Sequence, residues 1–222
     1  MPIEKPLNER QSKILKAIEE HGTVTIDKLE STFNVTPQTL RRDLNMLAEY
    51  ELIQRFHGGA SANNSTENMS YKDRQIRFLS EKEAIARELA ANIPDHSSLF
   101  INIGTTTESI AKALMNHTGL LVVTNNLNVA SLLSKKEDFR VIVTSGEVRA
   151  RDGGIVGEAT MSFVQQFRMD FGIIGISAID TDGALLDYDY REVRVAQAII
   201  ENSRNVYLAA DHSKFGRRAM VK

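Results

Sequence analysis

Between residues 99 and 210 the chain alternates short apolar runs with amphipathic stretches, and this rhythm constrains its fold more than any other feature. The runs 99–103, 120–124, 139–143, 170–176 and 206–210 read as strands, and 107–115, 127–133, 159–167 and 192–201 as helices. Strands joined through helices run parallel, because each crossover returns the chain to the same end of the sheet. The run 170–176 is almost wholly apolar, which suits a central strand covered on both faces. The expected class for this part is α/β, a Rossmann-like parallel sheet with helices on both faces.

The first sixty residues follow a different pattern. Leu7, Ile14, Leu15 and Ile18 form one apolar stripe, a first helix that ends at His21 and Gly22. Thr25 is placed to cap a second helix with Ile26, Leu29 and Phe33 inward. Thr36 caps a third, and Pro37 suits its first position, where a missing N–H costs nothing. On that helix Leu40, Leu44 and Leu47 share one side. Gln38, Arg41, Arg42 and Asn45 share the other, within an arc of about 100°. Two adjacent arginines alone fit any solvated helix face. Preceded by two helices and a tight turn, the polar front has the side-chain types that reach base edges and phosphates in a major groove. The run 52–56 then reads as a strand, and His57, Gly58, Gly59 and Ala60 as its turn. This is a wing that would lay Arg55 and His57 against phosphate. The candidate DNA-binding set is Thr25, Thr36, Gln38, Thr39, Arg41, Arg42, Asn45, Arg55 and His57.

A chain of 222 residues with 42% hydrophobic content has room for two domains. The expected division is a winged helix-turn-helix domain at 7–61, a linker at 62–79 and a ligand-sensing and oligomerisation domain at 80–222. The linker follows from the polar run 61–68, and Ser80 with Glu83 reads as a capping box for a helix at 84–92. With no cysteine, the chain has no disulfide, thiolate metal site or cysteine nucleophile. No apolar run is long enough to span a bilayer and no signal peptide opens the chain, so a cytoplasmic protein is expected. The net charge of −2 is low for a DNA binder. It calls for local positive charge and a homo-oligomer, dimer or tetramer, engaging paired half-sites.

In open parallel sheets, ligands sit beyond the carboxyl ends of the strands. Gly104, Thr105, Thr106 and Thr107 follow the first sheet strand there and open a helix, so free N–H groups and hydroxyls meet whatever lies at its N-terminus. A capping threonine is commonplace, but three after a glycine exceed what a cap requires. Phosphate is the ligand group this suggests. Asn125, Ser177, Asp180 and Lys214 end other strands in the same layer, and Arg149, Arg151 and Asp152 lie in a Gly-rich loop able to close over a ligand. The residues call for no metal and no cofactor.

The run 37–44, the wing run 55–60, and the motifs at 100–106, 123–130, 151–160 and 211–217 resemble those of the DeoR family of transcriptional repressors, along essentially the whole chain. The resemblance implies a winged helix-turn-helix that binds double-stranded operator DNA. It also implies a second domain similar to ribose-5-phosphate isomerase that binds a phosphorylated small metabolite, glycerol-3-phosphate being the expected case. Gly104, Thr105, Thr106, Thr107 and Lys214 match phosphate-binding positions. An isomerase with an accessory helical domain is the alternative. However, Ser177 stands where such an enzyme's first acid is expected, and residues 184–188 offer no lysine. Glu192 alone is a weak case for chemistry, so no enzyme is expected. Chains of this family continue beyond the 211–214 motif through a further strand and helix. This one ends at Lys222, so an incomplete sheet edge and pocket are expected.

Overall fold

A computed structural model describes residues 7–21, 23–50, 52–56, 58–62, 71–215, 217 and 219–222. The chain divides into two compact units, Met1–Ser65 and Thr66–Lys222.

The first unit runs α1 (Glu9–His21), β1 (Thr23–Thr25), α2 (Ile26–Phe33), α3 (Pro37–Glu49), β2 (Ile53–Phe56) and β3 (Gly59–Ala62). Its core gathers the expected stripes: Ile14 and Ile18 of α1, Ile26 and Leu29 of α2, and Leu40, Leu44 and Leu47 of α3. Each such fully buried side chain contributes about 1.5–3 kcal/mol relative to exposure. Both expected caps form, with Thr25 Oγ1 accepting from the Lys28 N–H at 3.3 Å and Thr36 Oγ1 from Thr39 N–H at 3.4 Å. Asn34, at φ 50°, turns the chain from α2 toward α3.

β2 and β3 make the wing, with Phe56 opposite Gly59. Only residues 57 and 58 therefore lie between the strands. Gly59 and Ala60, read from the sequence as turn, already belong to β3. Gly58 takes φ +91°, which suits glycine at so tight a corner. β1 was not foreseen. Its three residues pair with the far side of β3, in the order β1-β3-β2.

The second unit opens with α4 (Tyr71–Ile76) and α5 (Leu79–Ala91). Residues 71–79, expected to be linker, are thus mostly helical. The expected capping box does not form either. α5 begins at Leu79, the preceding Phe78 sits at φ 53°, and Ser80 Oγ donates to Glu81 Oε2 at 2.8 Å.

There follow β4 (Ser98–Ile101), α6 (Thr105–Leu114), β5 (Leu121–Thr124), α7 (Leu127–Leu133), β6 (Arg140–Val143), β7 (Glu147–Arg149), β8 (Gly154–Val156), α8 (Glu158–Val164), β9 (Met169–Gly175), β10 (Ala178–Ile179), β11 (Leu185–Leu186), α9 (Tyr190–Glu201) and β12 (Ser203–Ala209). A 3-10 turn, His212–Lys214, follows.

Five strands form one parallel sheet in the order β12-β9-β4-β5-β6, with β9 internal as its apolar run required. Alternate residues face opposite layers. Leu99, Ile101, Val122 and Ile173 pack with Leu89 of α5, Ile110 and Leu114 of α6, and Val129 and Leu133 of α7. Phe100, Val123 and Ile174 pack with Val164 of α8 and with Val195 and Ile199 of α9. The Gly-rich stretch expected as loop is instead the antiparallel hairpin β7–β8, with Arg149 opposite Gly154.

Candidate functional site

In the first unit, Gln38, Arg41, Arg42 and Asn45 are all exposed on α3. Opposite them on the helix lie Leu40, Leu44, Leu47 and, unexpectedly, Asp43, which is 4% exposed. Asp43 accepts from Arg10 Nε at 2.6 Å and Gln11 Nε2 at 3.0 Å, pinning α3 to α1. Arg55 of the wing donates to Asn45 Oδ1, so two of the sequence-selected residues meet. Thr25 and Thr36 are exposed caps, and the Thr36 and Thr39 hydroxyls are 3.0 Å apart. His57 lies outside the described residues.

In the second unit, the parallel strands bring their carboxyl ends to one edge. After β4, Asn102 Oδ1 accepts from the Ile103 N–H at 2.7 Å, and Gly104 turns at φ +148° into α6. A Cβ on Gly104 would lie 3.4 Å from Thr107 Oγ1. Thr107 is fully buried and bonds Asn102 O and Gly104 O, both at 2.7 Å, so its hydroxyl holds the loop.

Thr105 and Thr106 differ. They are 8% and 6% exposed, and neither hydroxyl has a hydrogen-bond partner among the described residues. Gly104 offers no side-chain cap, and the first bond of the helix runs from Glu108 N–H to Gly104 O. The N–H groups of Thr105, Thr106 and Thr107 are therefore open to an acceptor.

Lys214 stands in the 3-10 turn after β12. Burial, then neighbouring Arg217, Arg74 and Lys82, push its pKa down to about 8 against the pull of Asp211. No hydrogen bond or ion pair occupies its ammonium among the described residues. Lys82, 4% exposed, is also held below its usual pKa, chiefly by burial. It donates to Arg77 O at 2.8 Å and to Arg74 O.

Beside this cationic group lies an ionic lattice. Asp152, 3% exposed, accepts from Arg149 Nε at 2.9 Å and NH2 at 2.8 Å, and pairs with Arg74 at 3.4 Å. Arg149 also meets Glu192 at 2.8 Å and Asp189 at 3.4 Å. Burial, followed by Asp187, drives the Glu192 carboxyl well above the usual range, and Arg149 only partly offsets this. Ser177 Oγ donates to Asp187 Oδ1 at 2.8 Å.

The remaining sequence-selected residues divide. Asn125 is 1% exposed and donates to Ile155 O at 3.0 Å, leaving its Oδ1 buried without a partner among the described residues. Arg151 is exposed in the β7–β8 turn. Asp180 is exposed too, and its carboxylate accepts from Thr181 N–H at 2.7 Å. Sequence reading missed Asp43, Tyr71, Arg74, Lys82, Glu108 and Asp187.

A winged helix-turn-helix followed by a five-stranded α/β unit is the build of a DNA-binding regulator with a sensor domain. Family models agree: the DeoR-like helix-turn-helix domain matches residues 10–66 and the DeoR C terminal sensor domain residues 77–222. The chain belongs to the DeoR family of DNA-binding transcriptional repressors.

It is 57% identical over 213 residues to the glycerol-3-phosphate regulon repressor of Escherichia coli (strain K12), across 96% of this chain and 84% of that protein. To the repressor of the same name from Haemophilus influenzae it is 54% identical, across 96% and 83%. Among solved structures, ribose 5-phosphate isomerase from Plasmodium falciparum matches with a TM-score of 0.44 at 12% identity, over 61% of this chain and 52% of that one. Among the described residues, no helix is long and apolar enough to cross a membrane.

Proposed function

We propose that this repressor controls a glycerol-3-phosphate regulon in the cytoplasm and leaves its operator when a phosphorylated three-carbon metabolite, glycerol-3-phosphate first, occupies the sensor unit. The observation that carries the effector reading is that Thr105 and Thr106, both largely buried residues, have hydroxyls without a partner among the described residues at an open helix N-terminus. Dipole, N–H groups and hydroxyls all favour an anion there, and Lys214 adds a positive charge to the same strand-end edge. Ser177 and Asn125 serve the hydroxyl end of the ligand in this reading, Asp152 lines it, and Arg151 closes from outside. Ligand acts by binding one quaternary arrangement better than the other.

On the DNA side, Gln38, Arg41, Arg42 and Asn45 read base edges, while Thr25, Thr36, Thr39, Arg55 and His57 position the phosphates. With a net charge of −2, one copy binds weakly, so a homo-oligomer on paired half-sites does the work.

Arg41→Ala is expected to weaken operator binding by about 1–3 kcal/mol while leaving folding intact. A gel shift on promoter DNA at fixed salt checks it, and unchanged affinity would remove Arg41 from the reading face. For the sensor, phosphorylated three- to six-carbon metabolites are screened for a rise in melting temperature, with glycerol-3-phosphate expected to give the largest.

Affinity should then fall as pH rises through about 8, because Lys214 loses its proton there. The phosphate, with its second pKa near ~6, is a dianion throughout. Lys214→Ala is expected to weaken binding and flatten that pH dependence without changing operator affinity. Persistence of the full pH dependence would exclude Lys214 as its source.

A further inference from the structure

We propose that Arg74 of α4 is a binding residue for the effector's anionic group, and that by exchanging Asp152 for that anion it changes how α4 is held on the sheet edge. The inference rests on the anion site proposed above and names the means of its regulation.

α4 has six residues, too few to be stable by propensity. Its one large apolar side chain near the end, Ile76, is 70% exposed. Polar bonds hold it instead. Tyr71 Oη donates to Glu108 Oε2 at 2.8 Å and accepts from Gln75 Nε2 at 2.8 Å and Asn128 Nδ2 at 3.0 Å. Arg74 reaches Asp152, and Lys82 grips the carbonyls of Arg74 and Arg77. Glu108 belongs to the same α6 whose first turn presents Thr105 and Thr106, which are 92% and 94% buried and unpartnered among the described residues. The latch and the ligand site thus share a helix.

The Arg74–Asp152 contact is the one most open to competition. At 3.4 Å it is longer than the two bonds Arg149 makes to the same carboxylate, 2.9 and 2.8 Å. If Arg74 leaves, Asp152 keeps Arg149, so no buried charge is orphaned. Arg74 also helps to lower the pKa of Lys214, so the two positive charges repel. A phosphate dianion between them relieves that repulsion and makes stronger charge-assisted bonds than a carboxylate already shared.

Phe78 supplies a joint between α4 and α5: it holds φ 53°, ψ 40°, rare for an aromatic residue. α4 is also the first described element after residues 63–70, which lead from the DNA-binding unit. A change in its hold is therefore felt where the chain enters the sensor.

The test uses the full chain, with glycerol-3-phosphate and inorganic phosphate as probes. In the wild type, ligand should raise the melting temperature, alter hydrogen exchange of residues 71–78 and release operator. In Arg74→Gln, affinity should drop roughly tenfold. Exchange of 71–78 should be fast already and unresponsive at saturating ligand, and release should be lost. Arg74→Lys, which keeps the charge, should recover part of the response, and it decides on the same readouts if Arg74→Gln does not fold. If Arg74→Gln, or Arg74→Lys in its place, bound ligand, changed exchange and released operator as the wild type does, Arg74 would have no such role. If neither probe stabilised the wild type, the anion site itself would fall, and this inference with it.

Discussion

Asp43→Ala is expected to lower the stability of the DNA-binding unit by about 2–3 kcal/mol, although Asp43 lies within the most recognisable stretch of the recognition helix. Its carboxylate takes bonds from Arg10 at 2.6 Å and Gln11 at 3.0 Å, on a helix more than thirty residues away in sequence. Gln11 is 2% exposed, so truncation strands its amide in the core without its charged acceptor. Arg10, a third exposed, recovers part of its loss from water, which keeps the figure below that for a fully buried pair. Asp43→Asn should cost about half as much, since one oxygen can still accept. The measurement is urea denaturation followed by circular dichroism, taking the transition of the first unit separately. A cycle with Arg10→Ala should show coupling between the two sites; strict additivity would show that the pin carries no energy. Operator binding is expected to fall in step with stability, in contrast to Arg41→Ala, where folding is unaffected.

Asp43 also illustrates what was legible in the sequence. With Leu40, Leu44 and Leu47 it follows i, i+3, i+4, i+7 spacing, so its inward direction was available from periodicity. Its partners were not, because nothing local connects residue 43 to residues 10 and 11. The exposed front of α3, both threonine caps and the internal strand β9 were readable because each rests on local periodicity or capping chemistry.

β1, β7–β8 and β10–β11 were not readable. Each strand is two or three residues long and exists only through its partner. α4 is the same case with larger consequence: residues 62–79 are polar enough to read as linker, yet Tyr71 and Arg74 find partners at Glu108 and Asp152. The Gly104–Thr107 turn stood out from the sequence, but only coordinates separate Thr107, whose hydroxyl is spent on the loop, from Thr105 and Thr106, whose hydroxyls are not.

Arg149→Met should destabilise the sensor unit by about 3–5 kcal/mol at neutral pH, the larger of the two effects. Arg149 is one cation facing three carboxylates, Asp152, Asp189 and Glu192, and its side chain is 11% exposed. Among the described residues its removal leaves Asp152, 1% exposed at the side chain, with the longer Arg74 contact, the more exposed Arg151 at 4.0 Å and the N–H of Gly154.

The pH dependence has a definite sign. In the wild type burial raises the pKa of Asp152, but Arg149 together with the Gly154 N–H and Arg74 holds it below its ordinary value, so it contributes stability above about pH 4 that is lost on acidification. Glu192 lies above its ordinary value through burial and Asp187, so its contribution is greatest below pH 4.5 and fades as pH rises through its folded value. Without Arg149 both carboxyls move up. The difference between variant and wild type should therefore be widest at pH 7–8 and shrink steadily toward ~pH 4, where the acids are protonated and need no cation. Glu192→Gln placed on the Arg149→Met background should recover part of the loss at pH 7 and little at pH 4.5, because at the lower pH Glu192 is already neutral. Chemical denaturation of the second transition at several pH values gives the curve. A penalty that stayed constant with pH would mean that Arg149 acts through packing of its side chain, and that the lattice around it is not held by charge.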